Sequence, residues 1–152
     1  MKKEVWGPCI WKTLHVLTVK IKDDCFIEQR KQLIEMITHI CSHLPCPNCS
    51  THAQGIIRKM NLKSVQTKDQ LIRFLFLMHN EVNKRVKKKL YIYEDVKTHY
   101  EKMNTKEVLL EYYNKNMSMN FGEKMMLYSF HRKNFLKKFR HYLQTHIQYF
   151  DD

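Results

Sequence analysis

The chain has 152 residues, which is enough for one domain with a sizeable hydrophobic core. Hydrophobic residues make up 43% and charged residues 28%, a balance that excludes an intrinsically disordered protein. The net charge of +12 suits an anionic partner or cofactor, although it equally suits a solvated basic surface. Three glycines and three prolines are too few for the many turns of a β-rich fold, so long helices are favoured.

The cysteines and the hydropathy pattern together point to reactive thiols. No run of about 18 apolar residues is present, so no membrane-spanning helix is expected. The N-terminal segment MKKEVWGPCIWK lacks the apolar core of a signal peptide, which favours a cytosolic location. Five cysteines is an odd count, and structural disulfides are rare in the cytosol. The thiols are therefore predicted to be reactive or to bind a metal.

Hydrophobic periodicity predicts four helices in the first hundred residues. These helices cover residues 8–18, 26–43, 47–60 and 67–86. Pro8 is predicted to lie just inside the start of the first helix, where proline is favoured. Thr67 is predicted to be the N-cap of the fourth helix, and a short fifth helix is predicted over 94–103.

The last third of the sequence predicts further helices. KEVLLEYYNK and EKMMLYSFHRKNFLKKFRHYLQTHIQYF are both rich in methionine, aromatic and basic residues. Basic amphipathic helices of this kind can bind membrane surfaces or partner helices, but more often they pack on their own domain. The predicted organisation is an all-α chain: a four-helix bundle with a short fifth helix over 1–104, and a helical extension over 105–152 that packs on the bundle or at a dimer interface.

Polar side chains share the helix faces that are predicted to be buried. The inward positions are Gly7, Trp11 and His15 in the first helix, Cys49 and His52 in the third, and His79, Asn80 and Asn83 in the fourth. A lone histidine on an apolar face is usually a satisfied core residue, but here three of the four helices carry one. Burying so many donors and acceptors is costly unless something polar fills the middle, so a flat heteroaromatic cofactor is a candidate occupant.

A basic run follows the fourth helix. Arg85 is succeeded by KKK at 87–89. Such a run is usually a solvated face. At the end of a helix that carries inward histidine and asparagine, it could equally neutralise the pyrophosphate of a cofactor.

The segment LPCPNCSTHA places Cys46 and Cys49 at the start of the third helix, where backbone amides and the helix dipole lower a thiol pKa. A zinc site would use these two sulfurs together with Cys41 or His43 and with His52. A thioredoxin-like motif needs a strand before it, whereas a predicted helix precedes this one. A redox disulfide that faces a bound cofactor accounts for both the C-x-x-C and the polar interior.

Three segments in this order, WGPCIWKTLH (6–15), LPCPNCSTHA (44–53) and HNEVNKRVKKKL (79–90), resemble the Erv/ALR family of FAD-linked sulfhydryl oxidases. They are most similar to the short versions of large DNA viruses that assemble in the cytoplasm. The resemblance covers roughly residues 5–100. It implies a helical bundle that holds FAD, commonly as a homodimer, and an oxidoreductase activity on thiols with oxygen as the acceptor.

The resemblance also implies roles for individual residues. Cys46 would be the interchange thiol that reacts with substrate proteins, and Cys49 would face the isoalloxazine ring and pass electrons to FAD. Oxygen would take these electrons as hydrogen peroxide. The implied FAD-binding residues are Gly7, Trp11, His15, Cys49, His52, His79, Asn80, Val82, Asn83, Arg85, Lys88 and Tyr91. Of these, Lys88 would lie near the phosphates and Tyr91 near the adenine.

The sequence departs from the fuller family pattern because it has no second shuttle C-x-x-C and no cysteine after Cys49. Cys9, Cys25 and Cys41 are predicted to be buried or free thiols. Substrate thiols would then reach Cys46 directly or through a partner redox protein.

The resemblance further implies a place of action. It suggests the cytoplasm of a host cell, packaging in the virion, and disulfide formation in virion proteins, with no metal and no nucleic-acid partner. The alternative that the residues leave open is a zinc-stabilised basic helical module that binds nucleic acid.

Overall fold

The structure is a computed structural model that describes residues 1–152. The predicted all-α fold is confirmed. The helices are α1 (Lys3–Val19), α2 (Phe26–Ser42), α3 (Pro47–Met60), α4 (Lys68–Arg85), α5 (Tyr93–Glu101), α6 (Thr105–Met117) and α7 (Met126–His146). Three short 3₁₀ segments lie at 62–64, 123–125 and 147–149. None of the helices combines the length and the apolar character that a membrane span requires.

The prediction that Pro8 lies at the start of the first helix is wrong. The helix begins at Lys3, because the backbone N–H groups of Val5 and Trp6 donate to the Lys2 carbonyl at 2.9 and 3.2 Å. Trp6 is 6% exposed, so its burial anchors this additional turn. Pro8 therefore lies within the helix, where its missing N–H removes one backbone hydrogen bond.

The predicted N-cap at Thr67 is confirmed. Its hydroxyl accepts a hydrogen bond from Gln70 N at 3.1 Å, and the Gln70 side chain accepts one from Thr67 N at 3.3 Å. This reciprocal arrangement is a capping box, which satisfies two amides that the first turn leaves unpaired. It fixes where α4 begins, and hence which α4 residues face α1.

One hydrophobic core joins the helices before and after residue 104. Leu14 of α1, Leu75 of α4, Tyr112 of α6 and Phe139 of α7 belong to the same cluster, and each is at most 1% exposed. The helix α1 is central, since it packs against α4, α5 and α6. Residues 105–152 therefore contribute to the interior of the bundle, and the division of the chain into two domains stays a prediction.

The C-terminal residues are also joined to the segment after α1 by backbone hydrogen bonds. Lys22 N donates to the Tyr149 carbonyl at 2.8 Å, and Asp151 N donates to the Lys20 carbonyl at 2.7 Å. An isolated antiparallel bridge between Ile21 and Phe150 lies between them. The end of the chain thus closes against the end of α1, which holds α7 in place relative to the bundle.

Candidate redox site

Cys46 and Cys49 form a disulfide at the N-terminus of α3, with their Cα atoms 5.2 Å apart. Cys46 is the N-cap residue, and Pro47 occupies the first turn, where its missing N–H leaves no amide unpaired. The Cys46 sulfur accepts a hydrogen bond from Cys49 N at 3.2 Å. In the reduced state the same N–H and the helix dipole would stabilise a Cys46 thiolate.

A cavity of about 770 Å³, including the open space at its mouth, lies beside the disulfide between α1, α3 and α4, and Cys41 of α2 also lines it. Its walls are mostly hydrophobic and carry a few polar and charged side chains, a character that is typical of a small-molecule site. Cys49 lines the cavity, whereas Cys46 is not among the lining residues. The two sulfurs therefore differ in their surroundings: one faces the cavity and the other does not.

Six of the twelve predicted FAD-binding residues line this cavity. The predicted residues that line it are Gly7, Trp11, Cys49, His52, Val82 and Arg85. A Cβ atom built at Gly7 would have only Lys3 Cγ within 4.0 Å, so a side chain there would extend into open space. The absence of a side chain at Gly7 therefore enlarges the cavity.

His15 and His79 lie behind Trp11 rather than on the cavity surface. Trp11 stacks on His79 with the ring centroids 3.8 Å apart, and His79 Nδ1 pairs with His15 Nε2 at 2.9 Å. Burial, reinforced by the neighbouring His79, lowers the pKa of His15 to about 3. Burial, with a smaller contribution from Lys88, lowers the pKa of His79 to about 4. Both imidazoles are therefore neutral at physiological pH, and His15 Nδ1 is buried without a hydrogen-bond partner.

Cationic groups lie along the cavity. Lys3 and Arg85 both line it, and so does His52 of α3. The pKa of His52 is lowered, first by burial and then by repulsion from Arg85 and Lys3. The cavity therefore combines apolar walls with fixed positive charge, which favours a ligand that is part aromatic and part anionic.

The remaining predicted residues form the end of α4 and the loop that follows it. The Asn80 side chain donates to the Tyr91 carbonyl at 3.1 Å and accepts from Tyr91 N at 2.9 Å. Asn83 is 3% exposed, and its carbonyl accepts from Lys88 N at 2.8 Å. Lys88 and Tyr91 are exposed and do not line the cavity. Their roles, like those of Asn80 and Asn83, stay predictions.

The other three cysteines are not bonded to each other or to the redox pair. Cys9 and Cys41 are buried, and burial raises the pKa of Cys41 to about 12. Burial also raises the pKa of Cys9, followed by repulsion from Glu111. Their geometry agrees with the prediction of buried or free thiols, since a thiol with a raised pKa is a poor nucleophile.

The zinc ligand set that the sequence left open is not assembled. No group of three or more histidine, cysteine, aspartate or glutamate side chains is arranged to hold a metal ion. Cys46 and Cys49 are bonded to each other, and the His43 ring instead stacks on Phe135 with centroids 4.7 Å apart. The geometry at the start of α3 is that of a disulfide.

Sequence reasoning missed several residues around the site. Tyr100 of α5 stacks on His15 with centroids 4.4 Å apart and planes 11° from parallel. Tyr128 and Arg132 of α7 contact the segment that precedes Cys46. Asn48, between the two cysteines, lines the cavity. The aromatic and basic composition of α7 was visible in the sequence, but its position beside the disulfide was not.

A disulfide at a helix N-terminus, with one sulfur on an apolar and cationic cavity, is the geometry expected of a thiol–disulfide redox site in a helical bundle. The chain belongs to the Erv1/Alr family, whose sequence model matches residues 8–104. The matched region contains both cysteines and all the predicted site residues except Gly7, which lies immediately before it.

Relatives of the chain occur in viruses and in a yeast. A FAD-linked sulfhydryl oxidase of African swine fever virus (isolate Tick/Malawi/Lil 20-1/1983) is 32% identical over 104 residues, covering 67% of this chain and 87% of the relative. A putative FAD-linked sulfhydryl oxidase of Invertebrate iridescent virus 3 is 34% identical, covering 56% of this chain and 58% of that protein. A FAD-linked sulfhydryl oxidase of Saccharomyces cerevisiae is 33% identical, covering 60% and 45%.

Proposed function

We propose that this chain is a FAD-dependent thiol oxidase that forms disulfide bonds in substrate proteins. The observation that carries the proposal is the placement of the Cys46–Cys49 disulfide, with Cys49 on the wall of the cavity and Cys46 outside it. Membership of the Erv1/Alr family and relatives named FAD-linked sulfhydryl oxidases support the same activity.

The residues around the cavity fit FAD in two respects. Trp11 offers an aromatic face, and Gly7 leaves room for a planar ring beside it. Lys3 and Arg85 supply positive charge for a pyrophosphate.

We assign FAD binding to residues in three groups. The cavity-lining group is Gly7, Trp11, Cys49, His52, Val82 and Arg85. His15 and His79 support Trp11 from behind, and Asn80, Asn83, Lys88 and Tyr91 build the end of α4 and its loop. When bound, FAD would accept two electrons from the reduced cysteine pair, and this oxidation would restore the disulfide. The reduced FAD would then pass the electrons to O₂, which yields H₂O₂.

The exchange steps follow from the different surroundings of the two sulfurs. A substrate thiolate attacks Cys46, forms a mixed disulfide and breaks the bond to Cys49, which leaves as a thiolate. The positive charge of Arg85 and Lys3 along the cavity favours that thiolate. A second substrate thiolate then attacks the substrate sulfur of the mixed disulfide, so the substrate leaves oxidised and Cys46 leaves reduced.

The proposal is tested on the purified full-length protein. It should carry flavin visible in its absorbance spectrum and should consume oxygen when given dithiothreitol. Cys49→Ser and Cys46→Ser should each abolish oxygen consumption while the flavin stays bound. Cys25→Ser is the matched control, because Cys25 is partly exposed and unbonded, and it should keep the activity. A colourless protein with bound zinc, or full activity in Cys49→Ser, would overturn the proposal.

We further propose a homodimer that works in the cytoplasm of a host cell, is packaged in the virion and oxidises virion proteins, directly or through a partner redox protein. The viral relatives support this setting. Light scattering of the purified protein tests the dimer, and a monomer at micromolar concentration would contradict it. Trapping mixed disulfides with Cys49→Ser in infected cells would identify proteins that react at Cys46.

A further inference from the structure

Side chains of α7 hold the backbone immediately before the redox disulfide. Arg132 Nε donates to the His43 carbonyl at 2.7 Å, and the Tyr128 hydroxyl donates to the Leu44 carbonyl. The His43 ring stacks on Phe135, also of α7, with planes 13° from parallel. Three α7 residues therefore contact the two residues that precede Pro45 and Cys46.

Tyr128 also reaches the far side of the disulfide through Ser50. Leu44 N donates to the Ser50 hydroxyl at 2.9 Å, and the oxygens of Ser50 and Tyr128 lie 2.9 Å apart. Because the single Tyr128 proton goes to the Leu44 carbonyl, Ser50 donates to Tyr128. These three residues form a closed hydrogen-bonded ring that joins the segment before Cys46 to the first turn of α3 after Cys49.

Burying Arg132 costs desolvation free energy, because the side chain is only 2% exposed and no carboxylate pairs with it. Its Nη2 donates to the Asn116 side chain, and its guanidinium lies over the Phe121 ring, 5.1 Å from the centroid. It approaches the C-terminal end of α2, where a positive charge complements the helix dipole. Arg132 thus links α2, α6 and α7 at the point where the chain turns towards Cys46.

We propose that Tyr128 and Arg132 are positioning residues for the redox disulfide, which hold Cys46 within bonding reach of Cys49 when the pair is reduced. The inference rests on the proposed function, since it concerns the same cysteine pair. In the oxidised state the covalent bond itself keeps the sulfurs together. In the dithiol state that bond is gone, and the contacts from α7 restrict the movement of the Cys46 segment.

The thermodynamic consequence has a definite sign. Loosening the Cys46 segment adds conformational freedom to the dithiol more than to the disulfide, so it lowers the effective concentration of one thiol towards the other. Disulfide formation becomes less favourable, and the reduction potential of the pair becomes less negative. Both Tyr128 and Arg132 lie beyond residue 104, where the match to the family ends, so the positioning of Cys46 depends on the C-terminal extension.

The test is the thiol–disulfide equilibrium of full-length Tyr128→Phe. The protein is equilibrated without oxygen in buffers of reduced and oxidised glutathione, thiols are trapped with a maleimide, and the reduced fraction is read by mass spectrometry. We expect the equilibrium constant for closing the Cys46–Cys49 bond to fall about three- to tenfold, and tenfold is about 30 mV for this two-electron couple.

Tyr142→Phe is the matched control on the same helix. The Tyr142 hydroxyl is buried without a hydrogen-bond partner, so its removal breaks no hydrogen bond. The control should keep the wild-type equilibrium constant. A Tyr128→Phe protein that melts at a lower temperature but keeps the wild-type constant would overturn the proposal, because the tyrosine would then be merely structural.

Substitutions at Ser50 and Arg132 test the same positioning role independently of Tyr128. Ser50→Ala breaks the same hydrogen-bonded ring from α3 and should shift the constant in the same direction. Arg132→Lys keeps the charge but not the planar fork, and it should shift the constant less than Arg132→Met does. Unshifted constants in all folded variants would overturn the positioning role. Failure of the proposed function would appear differently, as a wild-type pair that does not exchange with glutathione or a wild-type protein that consumes no oxygen.

Discussion

The indole ring of Trp11 lies flat against the imidazole of His79, with centroids 3.8 Å apart and planes tilted by 7°. His79 in turn shares a hydrogen bond with His15, whose ring stacks on Tyr100. This ladder of rings runs from the cavity wall into the interior of the bundle. One histidine must donate and the other accept, so the contact exists only while at least one facing nitrogen is unprotonated.

Acidification should therefore destabilise the fold. The folded-state pKa values of His15 and His79 are about 3 and about 4, against an ordinary value of 6.5. Below pH 6.5 the unfolded chain binds protons that the folded chain does not, so the free energy of unfolding decreases as the pH falls towards 4. The loss between pH 7 and pH 5 should be about 2 kcal/mol for each histidine. Urea denaturation at a series of pH values measures it.

His15→Phe isolates one of the two histidines. The variant keeps an aromatic ring against Tyr100 but removes a group that titrates, so it should be less stable at pH 7 and should lose less stability on acidification. A wild-type slope of unfolding free energy against pH in this variant would contradict the assignment of the effect to the buried pair.

Trp11→Ala should weaken flavin binding, because it removes an indole ring from the cavity wall and the ring that covers His79. The loss should be at least about tenfold in Kd, given the area and the stacking that the indole supplies. Titration of FAD into the flavin-free protein, followed by fluorescence, measures it. Trp11→Phe keeps a ring and should lose less, and equal losses in both variants would show that stacking is not the cause.

Thr67→Ala should destabilise the protein without affecting its chemistry. The substitution removes half of the capping box at the start of α4, and the loss of an N-cap costs about 0.5–2 kcal/mol. Urea denaturation measures the loss, and oxygen consumption with a dithiol should be unchanged because the cavity residues of α4 lie towards its other end. Thr67→Ser restores a hydroxyl and should recover most of the stability; a serine variant as unstable as the alanine variant would contradict the capping explanation.

The sequence predicts the local features of this molecule well, for reasons visible in particular residues. Thr67 and Gln70 are three positions apart, so the capping signal is contained in one turn. Cys46 and Cys49 are equally close, and the following helix starts at Pro47. Periodic apolar residues then predict the helix limits to within a few residues. The exception is α1, which begins at Lys3 instead of Pro8 because Trp6 is buried.

The contacts of α7 with the disulfide segment could not be predicted in this way. Arg132 reaches the carbonyl of His43 across 89 positions, and Tyr128 reaches that of Leu44 across 84. Every residue has a backbone carbonyl, so the sequence around His43 or Leu44 does not show which side chain donates to that carbonyl. The same holds for Tyr100, whose stacking on His15 depends on how α5 packs on α1.

Thiol reactivity should separate the three unbonded cysteines. In the folded, oxidised protein at pH 8, iodoacetamide should modify Cys25, which is partly exposed, and should leave Cys9 and Cys41 unmodified. All three should react in urea, because their protection comes from burial. Peptide mass spectrometry reads each site. Rapid modification of folded Cys41 would contradict its burial and the pKa of about 12 that burial produces.

Phe139→Ala should test whether residues 1–104 depend on the C-terminal helices. The Phe139 ring is fully buried and meets the Tyr112 ring edge-on, with centroids 4.8 Å apart, in the core that α1, α2 and α4 share. Its loss should lower the free energy of unfolding by about 3–5 kcal/mol. Phe130→Ala on the same helix is the control, because that ring is 59% exposed and its removal should change stability by less than about 0.5 kcal/mol.

Removal of residues 105–152 should test the same dependence for the whole C-terminal extension. It takes Leu109, Tyr112, Leu136 and Phe139 out of the core, and each buried side chain of this kind contributes about 1.5–3 kcal/mol. The sum is comparable to the total stability of an ordinary domain, about 5–15 kcal/mol, so a chain that ends at residue 104 should not fold cooperatively. Calorimetry of the truncated protein measures this, and a melting temperature equal to that of the full chain would show that residues 1–104 fold without α6 and α7.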